Sequence, residues 1–361
     1  MNAKVLLKRL LVGLMILILV TVALFWFATY HPAKLQNEAV TCPQNTPTLR
    51  SGQSIKVMTW NVQFMAGKNY TFWFDVPNND GPDERPTAED VTATVQEVAR
   101  VIRAEDPDIL YLQEVDKGAL RTDYRDELSE LLTLIPDYPC YAQTYYWKDA
   151  YVPHPRIHGS TGLTLVTLSK YKIENATRYQ LALPPADLLT QQFSAKRAIL
   201  DARMPVNGAA DFHALNTHLD AFAQGNNTME LQVQEVDALL SELEESSNAW
   251  VIGGDYNLLP PDDASRQRLP ATHQSYYNPQ PEIKLLYANY SAIPSLQEIT
   301  GADSSKWFTY LPNDPTIPYP DSTLDYLFYS KLLVLGNHYV RSDDTQKISD
   351  HMPVIGVFIL P

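Results

Sequence analysis

The sequence predicts a layered α/β sandwich on three observations: recurrent short apolar runs, helical periodicity between several of them, and polar motifs where the runs end. The runs are Ile55–Met58, Ile109–Leu112, Phe212–Leu215, Trp250–Ile252 and Tyr326–Tyr329, bounded by turn formers. Short runs of that kind are the pattern of buried strands. Ala198–Ala202 reads the same way.

Three segments read as helices. Thr87, with Asp90 three residues later, makes a weak capping box, after which Val91, Val95, Val98 and Ile102 recur at helical spacing until Asp106-Pro107 stops the pattern. Tyr124–Ile135 and Met229–Leu243 each carry one apolar face. The first and third lead into the strands that end at Glu114 and Asp255. Strands interleaved with amphipathic helices bury both by layering helices on sheets, which favours a sandwich over a bundle or an all-β barrel.

At 361 residues the chain is long enough for one large domain or two ordinary ones. One is expected, because polar motifs spread from Asn61 to His351 must meet in space to act together. Hydrophobic residues, 45% of the chain, suffice for a sizeable core. The expected organisation is a basic cytoplasmic tail over 1–9, a transmembrane signal-anchor over 10–29, a linker over 30–53 and a catalytic domain over 54–361.

The anchor follows from Lys4, Lys8 and Arg9 standing before an uncharged run from Leu10 to Ala28, close to the roughly 20 residues that cross a bilayer. The leading charges put the amino end in the cytoplasm and the domain outside. That describes a single-pass protein of the inner (cytoplasmic) membrane with an extracytoplasmic, periplasmic domain. A cleaved signal peptide is the alternative. The run is longer than the usual h-region of roughly 7–15 residues, and Ala28-Thr29-Tyr30 is a poor cleavage site.

Beyond residue 30 the chain carries 25 basic against 42 acidic side chains, a net of −17. That sign opposes a polyphosphate backbone and disfavours nucleic acid as a partner, although one basic or metal-loaded groove inside an acidic protein keeps it open. Cys42 and Cys140 are the only cysteines. In an oxidising compartment they are expected to pair and pin the linker to the body, with two unpaired thiols as the alternative.

Six polar motifs close the strands or sit beside them: Trp60-Asn61, Gln113-Glu114, Asn216-Thr217-His218-Leu219, Gly254-Asp255-Tyr256-Asn257, Leu324-Asp325-Tyr326 and Ser349-Asp350-His351. Polar residues at strand ends converge on one edge, where a rigid scaffold presents chemistry. Carboxylates with few soft ligands suit Mg²⁺. In this order the motifs resemble those of the endonuclease/exonuclease/phosphatase family, over about residues 54 to 361. The resemblance implies a four-layer α/β/β/α sandwich of two mixed β-sheets flanked by helices. It also implies hydrolysis of phosphoesters with Mg²⁺, Mn²⁺ serving as a substitute.

Cleaving a phosphoester needs an in-line water, charge relief on the phosphoryl oxygens and help for the leaving oxygen. Glu114 is the first choice for a direct metal ligand, and the resemblance implies that Asn61 and Asp350 share or orient that site. His351 is the expected base, since imidazole takes up a proton near neutral pH, with Asp325 implied as the carboxylate that orients it. Asp255 is expected to orient the attacking water or hold a second metal. Asn257 and His218 are expected to hydrogen-bond the phosphoryl oxygens, and Asn216, Lys196 and Arg197 to meet the substrate. Taken singly, an Asn or Asp at a strand end is more often a turn former or cap. His154, His158, His213, His273 and His338 are expected to be structural, although His158 leads into a segment near the active face in members of the family. Several nuclease-like members carry an acid two residues after the first asparagine; here that position is Gln63, which favours single-metal chemistry through Glu114.

Two aromatic groups, Tyr145, Tyr146, Trp147 and Tyr151, and Trp307, Phe308, Tyr310 and Tyr319, read either as loops at the site or as filling of the sandwich core. Amphipathic rings suit a lipid headgroup surface and equally stack bases. Anchor and acidity favour a phospholipid- or sphingolipid-type phosphoester, sampled at high effective concentration by a tethered enzyme. The alternatives are an extracytoplasmic endonuclease acting on DNA or RNA, and a non-catalytic binding module of the same fold. Intact Glu114, Asp255 and His351 speak against the last.

Overall fold

The computed structural model describes residues 3–221 and 225–361; Met1 and Asn2 of the expected tail lie outside them. Among the described residues the strands, in chain order, are β1 (Leu35–Glu38), β2 (Val40–Thr41), β3 (Leu49–Arg50), β4 (Ser54–Asn61), β5 (Ile109–Asp116), β6 (Cys140–Val152), β7 (Gly159–Ser169) and β8 (Asn175–Gln180). They continue with β9 (Ala198–Met204), β10 (Val206–Asn207), β11 (Phe212–His218), β12 (Ala249–Asp255), β13 (Ser291–Ile293), β14 (Asp325–Tyr329), β15 (Val334–Val340) and β16 (Val354–Ile359). The helices are α1 (Ala3–Ala28), α2 (Ala88–Glu105), α3 (Glu127–Leu134), α4 (Thr190–Phe193), α5 (Thr228–Glu245), α6 (Asp263–Arg268), α7 (Ala271–Gln274), α8 (Lys284–Asn289) and α9 (Leu296–Thr300).

Two seven-stranded mixed sheets run β1-β8-β9-β11-β12-β14-β13 and β15-β16-β4-β5-β7-β6-β2. They face each other across a core that includes Val57, Tyr111, Ala214, Val251 and Leu327. Outside the second sheet, Val91, Val95, Val98 and Ile102 of α2 pack with Leu128 and Leu131 of α3 on Leu110 and Leu112. Outside the first, Val233, Val236 and Leu240 of α5 and Leu286 of α8 cover Leu215, Trp250 and Ile252. The expected four-layer sandwich results. An isolated helix of this length is marginal in water. At roughly 1.5–3 kcal/mol per fully buried large aliphatic side chain, the apolar stripe of α2 decides that it forms.

Local chemistry sets the helix ends. Thr87 Oγ1 accepts from the Asp90 N–H at 3.2 Å, and Asp106, left-handed at φ 49, closes α2. α3 begins at Glu127 rather than at Tyr124 as expected. Asp123 and Tyr124 adopt left-handed backbone, with φ 54 and 61, and the Asp126 side chain caps the Ser129 N–H at 3.1 Å.

Polar links pin the two sheets to each other. Tyr111 donates its hydroxyl to Val251 O at 3.0 Å, and Gln113 Nε2 donates to Asn216 Oδ1 at 2.7 Å. Asn216 Nδ2 in turn donates to Leu112 O at 3.0 Å and Val166 O at 2.9 Å. The sheets also approach closely at Gly253, where a Cβ would lie 2.8 Å from Tyr111 and 3.1 Å from Thr59 of the facing sheet.

Two expectations need correction. Residues 30–53 are not a free linker over 35–50: β1 pairs with β8, β2 with β6 and β3 with β10, so the segment is stitched to both sheets. Edge pairing uses main-chain N–H and C=O groups, which a polar sequence offers as well as an apolar one. Likewise Tyr145, Tyr146, Trp147 and Tyr151 lie in β6, not in a loop. Cys140, Ala142, Thr144 and Tyr146 are buried in alternation along it, the period-two signature of a strand. At the amino end, α1 also takes in the described part of the expected tail.

Cys42 and Cys140 form a disulfide across a sequence separation of 98 residues. Closing a loop of that size restricts the unfolded chain, worth roughly 4 kcal/mol in the chain-entropy account. Cys42→Ser combined with Cys140→Ser is therefore expected to lower unfolding stability by about that amount in a denaturant titration under non-reducing conditions. An unchanged midpoint would show that β1 and β2 hold the segment without the bridge.

Candidate active site

Strand register brings the motifs to one edge of the sandwich. β4 and β5 run parallel with Asn61 opposite Gln113, and β11 and β12 run parallel with His218 opposite Asp255. β14 is antiparallel to β12, so its first residue, Asp325, also stands opposite Asp255. β16 is antiparallel to β4, with Val354 opposite Thr59, which sets the preceding Asp350-His351 at the same edge.

Backbone irregularity aims two of these side chains. Glu114 has φ 58, at a register shift between Leu112 and Val115 where β5 meets β7. Such a bulge redirects a side chain that a regular strand would bury elsewhere. Asn257 has φ 51, and its N–H donates to Asp255 Oδ1 at 2.9 Å. Non-glycine residues held there cost on the order of 1–3 kcal/mol each, offset by the surrounding hydrogen bonds.

Asn61 Nδ2 donates to Glu114 Oε1 at 3.1 Å and to Asp255 Oδ2 at 3.0 Å, while its Oδ1 accepts from the Gln63 N–H at 3.0 Å. Asn61 thus orients the carboxylates; its oxygen is turned away from them. His351 Nδ1 lies 2.7 Å from Asp325 Oδ2, and its Nε2 lies 3.5 Å from Asp255 Oδ2. His218 Nε2 lies 3.4 Å from the same oxygen and 3.1 Å from Asn257 Nδ2. Ser349 Oγ donates to Asn61 O at 2.7 Å and accepts the His351 N–H at 3.1 Å, tying the last motif to the first.

Desolvation dominates the electrostatics. Burial raises the carboxyl groups of Glu114 and Asp325, with Asp350 adding to both. Burial also pushes Asp255 up to about 6, against relief from His351 and with a further push from Asp325. Burial pulls His351 down, but Asp325, Asp255 and Asp350 outweigh it and hold the imidazole well above its ordinary range. His218 is the opposite: burial, then the charges of Arg197 and His351, keep it well below. A crowd of desolvated carboxylates is the environment that a divalent cation relieves. Ligand atoms of Glu114, His218 and Asp255 lie within 4.8 Å of one another, as do those of Asp255, Asp325 and His351. Hard oxygens with imidazole fit Mg²⁺ or Mn²⁺.

Glu114, His218, Asp255, Asn257 and His351 line a cavity of about 570 Å³ whose lining also includes Trp73, Phe74, Leu120, Trp147, Ile157 and Leu163. Arg197 and Asp350 also line it, as do Tyr146 and Tyr310; the Tyr310 ring lies 4.8 Å from that of His351. His158, expected to be structural, lines it too. His213, His273 and His338 pair with Asp201, Asp314 and Glu298, and His154 stacks on Trp73.

Two expected substrate contacts are corrected. Asn216 is fully buried, and its amide is committed to Gln113, Leu112 and Val166. Lys196 Nζ donates to the carbonyls of Gln191, Gln192 and Ser194 at 2.6, 3.2 and 2.8 Å, closing the turn after α4 instead of facing the cavity. Two residues in the cavity wall carry no sequence signal. Arg121 grips Asp116 through two nitrogens, at 2.8 and 3.0 Å, and lies 3.4 Å over the Phe64 ring. Asp75 accepts the Phe72 N–H at 2.7 Å; burial, reinforced by Asp350, pushes its carboxyl up to about 7. It sets a carboxylate near Asp350 where Gln63 offers none.

Removing the amide link tests the sheet clamp. Asn216→Ala leaves buried partners unsatisfied and is expected to lower stability by about 1–3 kcal/mol, read by denaturant unfolding. Asp75 titrates higher in the folded than in the unfolded chain, so its stabilising contribution is full below its ordinary 3.8 and is lost as pH rises through about 7. Asp75→Asn is therefore expected to gain stability over wild type between pH 4 and pH 8, by up to about 4 kcal/mol. Parallel stability curves for the two proteins would remove Asp75 from that account.

The endonuclease/exonuclease/phosphatase family model matches residues 58–351. In fold the chain is similar to the endonuclease/exonuclease/phosphatase from Beutenbergia cavernae DSM 12333, with a TM-score of 0.55 and 20% identity, over 85% of this chain and 72% of that one. It is also similar to the human nocturnin catalytic domain with bound sulfate anion, with a TM-score of 0.53 and 20% identity, over 86% of this chain and 94% of that one. A third similar structure is the endonuclease/exonuclease/phosphatase from Bacteroides vulgatus, with a TM-score of 0.51 and 15% identity, over 86% of this chain and 100% of that one. Comparison with curated protein sequences finds no match. At these identities the structural likeness speaks for the fold alone. Because the matched span runs from the strand carrying Asn61 to His351 itself, the chain belongs to the endonuclease/exonuclease/phosphatase family.

Proposed function

We propose that this protein is a membrane-anchored, Mg²⁺-dependent phosphodiesterase that cleaves a phospholipid- or sphingolipid-type phosphoester on the extracytoplasmic side of the membrane. Members of its family are generally metal-dependent phosphoester hydrolases. The observation that carries the reading is the buried Asp325–His351–Asp255 chain beside Glu114, bordering a cavity whose lining includes Trp73, Phe74, Leu120, Ile157 and Leu163.

A divalent cation held by Glu114, with Asp255 and His218 close by, would supply positive charge to the phosphoryl oxygens. Asp325 fixes His351 through Nδ1, which leaves Nε2 facing Asp255. Held protonated by three carboxylates, the imidazolium donates to a phosphoryl oxygen; Asp255 accepts the proton of the attacking water as the bond from phosphorus to the leaving oxygen breaks, and that proton passes to the departing alcohol. This differs from the expectation from residue type, which makes His351 the base. Arg197 Nη1 is buried without a hydrogen-bond partner and is a further donor for the anion. The nocturnin structure holds sulfate, a tetrahedral anion like phosphate.

The lipid part of the reading has separate support. α1 has 26 residues with none buried, about 39 Å of helix against the ~30 Å of a bilayer core. Thr29 is buried and the Tyr30 ring packs on Tyr145 of β6, centroids 6.3 Å apart, so the chain after α1 is built into the body, unlike an exposed cleavage site. The arginines around the cavity favour the extracytoplasmic nuclease as a second reading. Each of them, however, has an acidic neighbour: Arg85 with Asp123, Arg121 with Asp116, Arg156 with Glu84 and Arg197 with Asp220. Little net positive charge is left for a polyanion.

The test is headgroup or phosphate release by the full-length protein from phospholipids, sphingomyelin, inositol phosphates and single- and double-stranded DNA, with Mg²⁺ and with chelator. Chelator-sensitive lipid cleavage without DNA cleavage is expected; cleavage of DNA alone, falling steeply with salt, would establish the nuclease. Glu114→Ala is expected to abolish metal-dependent turnover with circular dichroism unchanged. His351→Ala should lower kcat by on the order of 10²–10⁴. A change in KM alone would limit His351 to phosphate binding.

A further inference from the structure

Leu188 is 83% exposed and Leu189 60%, yet the turn that carries them is firmly held. Asp187 Oδ1 accepts the N–H groups of Leu189 and Thr190, each at 3.0 Å, and Oδ2 accepts the Thr190 hydroxyl at 2.6 Å. From the other side, the Lys196 ammonium gathers the carbonyls at the end of α4. Scattered exposed leucines are ordinary. Two adjacent ones on a turn fixed at both ends form a preorganised apolar projection, and such surface marks a docking site.

Its neighbours indicate what it docks on. Phe25, near the end of α1, packs edge-on against Phe193 of α4, with ring centroids 6.2 Å apart, and Phe27 is 85% exposed. Tyr30 packs on Tyr145 of β6 at 6.3 Å. Two residues along β6, Trp147 donates from Nε1 to Phe193 O at 2.8 Å and lines the catalytic cavity. One stretch of β6 therefore joins the exit of the apolar helix, the base of the Leu188–Leu189 turn and the cavity wall.

We propose that the Leu188–Leu189 turn is a membrane wedge: it enters the interface of the bilayer that α1 crosses and sets the cavity mouth against the lipid headgroups. The proposal rests on the anchored reading above. Bilayer lipid is the occupant, because the turn continues the apolar surface of α1 where that helix meets the body. A body of net charge −17 beyond residue 30 gains nothing from anionic headgroups, so docking draws on apolar transfer. That transfer is worth roughly tenfold in partition per buried leucine.

The test uses the full-length protein in phosphatidylcholine vesicles. A nitroxide is placed at Leu188→Cys, both native cysteines being joined to each other, and a control nitroxide at Val334→Cys, an exposed position on β15. Power-saturation spectroscopy is expected to find the label at 188 shielded from an aqueous nickel complex and open to oxygen, and the control the reverse. Equal access of the nickel complex to both overturns the wedge. In parallel, Leu188→Asp with Leu189→Asp is expected to slow headgroup release from the same vesicles about tenfold or more, with hydrolysis of bis(p-nitrophenyl) phosphate unchanged. Equal loss on both substrates overturns it too. Carbonate extraction separates the two ideas. Release of the wild-type protein ends the anchored reading and the wedge together, whereas retention with an aqueous label at 188 ends the wedge alone.

Discussion

The Gln113–Asn216 amide pair is the constraint on which the active edge depends. It lies where the two sheets face each other: Gln113 Nε2 donates to Asn216 Oδ1 and Thr59 Oγ1, and Asn216 Nδ2 donates to the carbonyls of Leu112 and Val166. A slip of either sheet would strand several buried polar groups at once, a far larger penalty than one new hydrogen bond could offset. Gln113 adjoins Glu114, and Asn216 stands two residues before His218. The distance between a carboxylate of one sheet and an imidazole of the other is thereby set from within the core.

Above that clamp the protein concentrates groups that repel one another. Glu114, Asp255 and Asp325 are desolvated together, and His351 is the cation that makes the arrangement tolerable. Such a site lowers the stability of the empty fold and raises its affinity for positive charge, a common exchange of stability for function. The extensive apolar layers on either side supply the stability that the edge gives up.

The sequence made the central strands and the reacting residues legible for different reasons. β4, β5, β11 and β12 are largely buried on both faces, so apolar residues dominate their central runs and the run identifies them. Glu114, Asp255, Asp325 and His351 became readable jointly, since each is ambiguous and only the ordered set is specific. Asn216 and Lys196 show the limit: an amide or ammonium suits a phosphate as well as a backbone carbonyl, and distance alone separates the roles. β1, β2 and β3 were hidden because edge pairing is a property of the main chain. Asp75 was hidden because a loop with no periodicity carries it to the cavity.

Under the proposed anchored reading, the stitching of residues 35–50 into both sheets, reinforced by the Cys42–Cys140 bond, would change how the enzyme meets its substrate. A flexible tether would let the body sweep a hemisphere above the membrane and sample soluble substrates. A helix that ends one residue before a buried threonine gives it almost no reach. Were the proposed lipid substrate the true one, the relevant variable would be its mole fraction in the surrounding lipid, and turnover would be governed by lateral diffusion in two dimensions. Diluting the substrate with inert lipid would then slow it, while diluting the vesicles in buffer would not.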